Sequence, residues 1–500
     1  MREKKLALNT TFSFLSEILT ILSGFVVPQL ILRYYGSDVN GLISSITYFL
    51  SLISLCQVGI GPVIQANLYK PLVEHNQSEL SKIMKSANNF FRTIAIILVF
   101  YTLGLTVFYP LLINGKFGHL YTASLILILS IETFSRYYFG IANRLLLTAD
   151  QKSYIYLLFS SLAILFNMLA CSFLIRMGLP VHVVKLATAF FYTVLPIQLA
   201  LYVKHNYKID RKITYESEPI KQKWNGFAQH VATIVQDNTD IIVLTAFSSL
   251  ENVSIYSVYH MVTNGIKTAI VTINSGVTSL MGDMIARKEI NKLNKAFDFY
   301  EWLFHTLSTL LYTVAGNLIL NFVSLYTKNV DDVNYILPGF AILMVSCGAL
   351  RCIGLVYSTI VNAAGHFRQT QIGVFVEPMI NISISVLSVF KFGLVGITLG
   401  TLVSLIYRLI FFTWYLSRNI MYRPMSIFIR HIFIDIIIAL TITVISISIP
   451  LSIHDYLGWI LQAIIVSTIS VVVVTIINVL FNRERLKESM KLIKKRRNQK

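Results

Sequence analysis

This chain is poor in charge and in cysteine. Charged residues fill 13% of its 500 positions, against roughly 25% in soluble domains. The four cysteines, Cys56, Cys171, Cys347 and Cys352, all lie in apolar runs. None is spaced as CxxC or grouped with histidines at metal-ligand spacing, which argues against a disulfide framework and a zinc site. No phosphate-cradling P-loop, no GxSxG elbow and no HExxH occurs. The longest connection, near Lys204 to Asn225, is short and basic, so no domain of size is expected outside the apolar segments. The sequence thus offers neither an ATP site nor an external catalytic domain.

Apolar sequence fills the space left by charge. Hydrophobic residues make up 55% of the chain and mean hydropathy is +0.66, the composition of an all-α, polytopic membrane protein. About fourteen runs reach the roughly 20 residues needed to cross a bilayer. The first six lie near 7–32, 41–67, 88–113, 120–147, 154–176 and 180–203. The next six lie near 226–248, 252–284, 298–325, 333–362, 369–390 and 394–417, and the last two near 427–450 and 456–481. The basic start, Met1 to Lys5, precedes an apolar run too long for a signal-peptide core and reads as a retained first span.

Lys and Arg collect on alternate connections, among them Lys82, Lys85, Lys152, Lys204, Arg211, Lys221, Arg287, Lys295, Arg368 and Arg423, and in the tail KLIKKRRNQK. The other connections hold singles such as Arg33, Lys116 and Lys391. The positive-inside rule then puts both termini in the cytoplasm and requires an even number of spans. The formal charge of +18 is accounted for by topology and anionic lipid headgroups, with no nucleic acid partner.

Residue matches recur at an offset of 215: Gly61 with Gly276, Arg136 with Arg351, Ala149 with Ala364 and Gly178 with Gly393. They relate spans one to six to spans seven to twelve. Six is even, so both copies keep the same orientation and should be related by a pseudo-two-fold axis along the membrane normal. The expected layout is a six-helix bundle at 1–203, a basic linker at 204–225, a second bundle at 226–417, two further helices within 418–481 and a basic tail at 482–500.

Polar stripes pick out the lining of a pathway. In the seventh span Gln229, Thr233, Gln236, Asp237 and Asp240 recur at helical spacing. A carboxylate in mid-bilayer costs about 3 kcal/mol and so normally faces a bundle interior or a wet cavity. The first span carries Thr10, Ser13, Glu17 and Thr20; the second Ser44, Thr47, Ser51, Ser54 and Gln65; the eighth His260, Asn264, Lys267 and Asn274. The hydroxyls alone are explained more simply by helix packing. Glu17, Asp237, Asp240 and Lys267 tip the stripes toward a hydrophilic lining.

The remaining intramembrane charges leave alternatives open. Arg136 and Arg351 hold equivalent places, either as anion contacts or as interface anchors beside groups such as Glu132. Arg92, Arg144, Lys185 and Arg408 lie nearer span ends, where long side chains snorkel. Glu377 precedes Pro378 and suits either a cation site at a kink or a structural hydrogen bond.

The runs GLISSITYFLSLISLCQVGIGPVIQANLYKPL at 41–72 and DNTDIIVLTAFSSLENVSIYSVYHMV at 237–262 resemble the Wzx-type polysaccharide flippases. These belong to the multidrug/oligosaccharidyl-lipid/polysaccharide exporter superfamily, with the MATE transporters and lipid II flippases. The resemblance covers essentially the whole chain. It implies a MATE-like fold in a bacterial cytoplasmic membrane and a cavity lined by spans one, two, seven and eight. The implied substrate is an undecaprenyl-pyrophosphate-linked oligosaccharide of capsule, O-antigen-like or teichoic type, carried from inner to outer leaflet by alternating access. Membrane lipids, a polysaccharide polymerase and export proteins are the implied partners, and no cofactor is implied.

On that reading Lys267, Arg136 and Arg351 are the candidates for the pyrophosphate, and Asn264, Asn274, Gln65, Gln229 and Gln236 for the sugar. Glu17, Asp237, Asp240 and Glu377 are candidates for coupling to a proton or sodium gradient, with the membrane potential as an alternative drive. An ion pair with Asp237 or Asp240 is the structural alternative for Lys267. A MATE-like cation-coupled exporter, a lipid II flippase and a membrane-embedded polysaccharide-processing enzyme are the rival readings.

Overall fold

The computed structural model describes residues 2–57, 59–113, 116–220, 227–287, 289–449, 455–483 and 485. The run KLIKKRRNQK and the end of the basic linker lie outside the described residues. All regular structure among those described is helical: α1 (Arg2–Ser51), α2 (Ile60–Val73), α3 (Gln77–Leu112), α4 (His119–Ser135), α5 (Ile141–Ala149), α6 (Ser153–Arg176), α7 (Val181–Asn206), α8 (Phe227–Phe247), α9 (Leu250–Ala286), α10 (Ile290–Tyr326), α11 (Pro338–Ala363), α12 (Phe367–Leu416), α13 (Ser426–Ile447) and α14 (Tyr456–Phe481).

Ten stretches among these residues are long and apolar enough to cross a membrane. Two of them, Ala7–Gln57 and Phe367–Met421, each hold two crossings. A straight 50-residue helix would be about 75 Å long, more than twice the hydrocarbon core. Instead α1 turns at Gly36 (φ 84°, ψ 174°) and α12 at Gly393 (φ 53°, ψ −127°), conformations that a residue with a Cβ rarely adopts. Counting each as two crossings and adding the helices α8 and α9 gives the expected fourteen. The loops expected around Arg33 and Lys391 are therefore helix, because one glycine suffices for each reversal.

Gly178, matched to Gly393 by the offset of 215, also has a positive φ, 72°. Both close the turn between the fifth and sixth crossings of their half.

The chain forms two compact units, Met1–Ser254 and Ile255–Lys500. In the first, α1 packs on α6, α6 on α7, and α4 on both α3 and α7. The crossing made by α4 and α5 is joined by a π-bulge at Arg136–Gly140. There a Cβ on Gly140 would come within 3.0 Å of Pro196 Cβ on α7, so the two backbones approach closely only because this residue is glycine. The helix expected to open the second half, α8, packs within this first unit against α1. Part of the linker is bound here as well: Lys85 Nζ donates to Ile213 O at 2.6 Å, Asp210 N–H donates to Ser81 Oγ at 3.0 Å, and Ser86 Oγ donates to Glu218.

In the second unit α11 packs on α10 and α12, and α10 also carries α13 and α14. Ile434, Ile438 and Ile442 of α13 recur every four residues and meet Val473, Val474 and Ile477 of α14. Polar ties fix α14 to α10: Trp302 Nε1 donates to Asn478 Oδ1 at 2.5 Å and Asn321 Nδ2 to Gln462 Oε1 at 3.1 Å. The opposite faces, with Phe433, Leu440 and Leu461 about 60% exposed, suit a lipid surround.

Candidate functional site

In the first unit the polar face of α8 lies on the second crossing. Gln236 and Asp240 are buried and Asp237 is half-buried, while Thr233 is exposed and the Gln229 side chain lies outside the described residues. Ser51 Oγ donates to Asn238 Oδ1 at 2.7 Å, the Ser45 and Thr245 hydroxyls are 2.6 Å apart, and Asn40 Nδ2 donates to Ser254 Oγ at 2.7 Å. Gly41 makes this approach possible: a Cβ there would lie 1.8 Å from the Leu250 carbonyl oxygen. Beyond it, Lys116 Nζ is 2.6 Å from Asp38 Oδ1 and also pairs with Glu251. Asn238 escaped the sequence reading because it stands outside the 233–236–237–240 stripe, which makes the polar face wider than the spacing suggested.

The second crossing differs from expectation in being broken. After Ser51 the chain tightens into a 3₁₀ segment, Leu52–Gln57, passes through left-handed Gly59 (φ 69°) and restarts at Ile60. Pro62 fits there because the first turn of a helix has no partner for its N–H groups. A cavity of about 260 Å³ opens at the break, lined by Ser54, Gln57, Gly59, Phe91, His230 and Ile234. Unwound backbone inside a membrane protein is tolerated where it is buried or lines a cavity. Gln65, beyond the break, donates to Tyr69 Oη at 2.9 Å. Glu17 is exposed on α1 with Ser13 and Thr20. Arg136, at the start of the π-bulge, is also exposed, and its charge acts with that of Lys185 on Glu132.

Two of the three candidate cations, Lys267 of α9 and Arg351 of α11, belong to the second unit and are half-buried. Next to Arg351, Cys352 Sγ lies 3.5 Å from the Tyr312 hydroxyl, which donates to Thr263 O of α9 at 3.0 Å. Asn264, one turn from Lys267, is exposed. Asn274 is buried in helix packing, donating to Thr359 Oγ1 at 3.0 Å and accepting from Tyr300.

Glu377 has a cation beside it. Arg408 Nη1 donates to its Oε2 at 2.8 Å, so Arg408 is half of a largely buried pair and does not reach for the interface as its position suggested. Arg92 and Arg144 lie over the rings of Tyr138 and Tyr156, at 4.9 and 4.4 Å.

A buried polar chain where α10, α11 and α13 meet went unnoticed in the sequence. His305 Nδ1 is 2.5 Å from Asp435 Oδ2, His305 Nε2 is 2.8 Å from Tyr357 Oη, and Tyr357 donates to Glu301 Oε1 at 2.8 Å. Arg423 Nη2 closes it on Glu301 Oε2 at 3.0 Å. The three contacts from Asp435 to Glu301 need three protons. Neutral His305 and Tyr357 bring two, so the third is carried by the imidazole or by Asp435. Its residues are far apart in sequence, and no local spacing announces them.

No family model matches the chain, and no curated protein does. Solved structures do match. Lipid II flippase MurJ, in an inward closed conformation, gives a TM-score of 0.70 at 15% identity over 96% of this chain and 100% of its own. An inward-facing multidrug resistance MATE family transporter of the MOP superfamily gives 0.61 at 14% over 80% and 94%, and a eukaryotic MATE transporter 0.56 at 13% over 84% and 96%. At these identities the likeness is one of fold: the chain has the fourteen-crossing, all-helical fold shared with the lipid II flippase MurJ and, over a smaller part of its length, with the MATE transporters of the MOP superfamily.

Proposed function

We propose that this chain is a flippase that carries a pyrophosphate-linked oligosaccharide on a polyprenyl lipid, of the undecaprenyl type, from the inner to the outer leaflet of a bacterial cytoplasmic membrane. The observation that carries the reading is the extent of the likeness. The flippase matches 96% of this chain and the MATE transporter 80%, a difference about the size of α13, α14 and the tail. Lipid II is one cargo of this chemistry; capsule, O-antigen-like and teichoic units are others.

The residues suit the task. A sugar pyrophosphate cannot enter hydrocarbon unless polar groups replace its lost water. Half-buried Lys267 and Arg351 would supply cationic partners for the pyrophosphate, and exposed Asn264 would add an amide for the sugar. With the cytoplasm negative, each negative charge moved outward gains about 2.3 kcal/mol per 100 mV. On this reading both termini lie in the cytoplasm, and rocking of the two halves would alternate access.

The test is headgroup accessibility in proteoliposomes loaded with a defined polyprenyl-pyrophosphate oligosaccharide. Lys267→Gln should insert normally and lose transport at least tenfold, while Lys267→Arg keeps part of it because the charge remains. Full transport by well-folded Lys267→Gln would overturn the anion role. Export of a cationic dye without any flipping would favour the MATE-like reading.

A further inference from the structure

A cavity of about 520 Å³ opens in the first unit where α3 begins and α7 ends, and the proposed transport path does not use it. All of its lining belongs to that unit. Lys85, Asn88, Asn89 and Arg92, at i, i+3, i+4 and i+7, bring one polar stripe of α3 to it. The π-bulge contributes Tyr138 and Phe139, an irregularity that recurs at functional sites. The end of α7 and the linker add Lys204, Asp210 and Arg211.

Four cations therefore meet one carboxylate. Lys85 spends one N–H on Ile213 O, and Asp210 Oδ1 accepts from the Lys212 N–H at 2.8 Å. Arg92 lies over the Tyr138 ring, and its Nε is buried with no hydrogen-bond partner among the described residues. A buried donor in that state calls for an acceptor. Lys204 and Arg211 are exposed and have no ion-pair partner among the described residues. On its other side the cavity runs out onto Ile197 and Leu201, 39% and 60% exposed on a helix long and apolar enough to cross a membrane. A free anion would engage only the cations. A ligand carrying both a phosphate and an acyl chain engages both sides.

We propose that this cavity holds the headgroup of an anionic phospholipid as a resident lipid, its phosphodiester taking charge-assisted hydrogen bonds from Arg92, Lys204 and Arg211 and its chains lying along Ile197 and Leu201. The site is independent of the transport reading, because it asks only that the chain lie in a bilayer.

The test is native mass spectrometry of the full chain, titrated with phosphatidylglycerol or phosphatidylcholine. One phosphatidylglycerol should bind at least tenfold more tightly than phosphatidylcholine. Lys204→Gln with Arg211→Gln should erase that preference, and Arg92→Gln should weaken it. Lys295→Gln with Arg368→Gln, which removes the same charge from exposed positions of the second unit, should leave it intact. Equal loss in both double variants would reduce the effect to net charge and overturn the site. Retention in the first double variant, or equal affinity for both lipids, would overturn it too. Displacement of the lipid by millimolar inorganic phosphate would show a free-anion site and sink the lipid assignment.

Discussion

Arg408 Nη1 stands 2.8 Å from Glu377 Oε2 although 31 positions separate the two residues. Along a straight helix they would be about 46 Å apart, so the contact records the reversal of α12 at Gly393. Glu377 is 2% exposed at its side chain and Arg408 23%, and removing one member of such a pair leaves a buried charge uncompensated. Arg408→Leu should therefore cost about 3 to 5 kcal/mol. Replacing both residues by leucine should recover most of the loss. Denaturation of the purified variants in detergent checks this, and a double variant no more stable than Arg408→Leu would refute the pairing as the cause.

The Ser45 and Thr245 hydroxyls, 2.6 Å apart, offer a test of whether α8 must part from the second crossing during transport. At that separation a cysteine pair lies within disulfide reach. In Ser45→Cys/Thr245→Cys, oxidation should cross-link the helices and stop transport, and a reductant should restore it. Undiminished transport by fully cross-linked protein would mean that this contact stays closed throughout the cycle.

Asp150 sits in the turn between α5 and α6. Burial pushes its carboxyl up, but Lys152 at 2.7 Å, the Tyr207 hydroxyl and the nearby Lys5 outweigh that and hold it below the ordinary carboxylate value of 3.8. A carboxyl with a depressed folded value adds stability at neutral pH and loses it as pH falls through that value. Asp150→Asn should therefore melt lower than the parent at pH 7, with the gap closing below about pH 4. An equal gap at pH 7 and pH 3.5 would rule out the linkage.

The proton count along Asp435, His305, Tyr357 and Glu301 separates two substitutions of similar size. Asp435→Asn supplies its own amide N–H to His305 Nδ1 and should stay within about 1 kcal/mol of the parent. Asp435→Leu leaves a buried ring nitrogen without a partner and should cost about 1 to 3 kcal/mol more. Equal stability of the two variants in chemical denaturation would show that the contact to His305 contributes nothing.

Long apolar runs made the fourteen crossings readable from sequence, because span length is imposed by bilayer thickness. The offset of 215 was readable for the same reason: turns need glycine at fixed places, and Gly178 and Gly393 keep their positive φ. The 3₁₀ break after Ser51 was not readable, since a glycine-containing apolar run such as CQVGIGPV suits both an unbroken and an interrupted helix. Nor was the partner of Arg408. Lys267 and Arg351 were each visible as charges in apolar sequence, but the packing of α9 beside α11, where Asn274 donates to Thr359, was not, because periodicity within one helix holds no such information.

The passage of α1 through Gly36 without an intervening loop has a mechanical consequence. A flexible connection would absorb a tilt of the first crossing, whereas a helix that changes course at a single residue hands that tilt on to the next. The two crossings should act as a lever, and the give in that lever falls at the next weak point, between Ser51 and Ile60, where the helix tightens and restarts. Compliance is thereby moved from the rim of the membrane to its depth, beside the acidic face of α8.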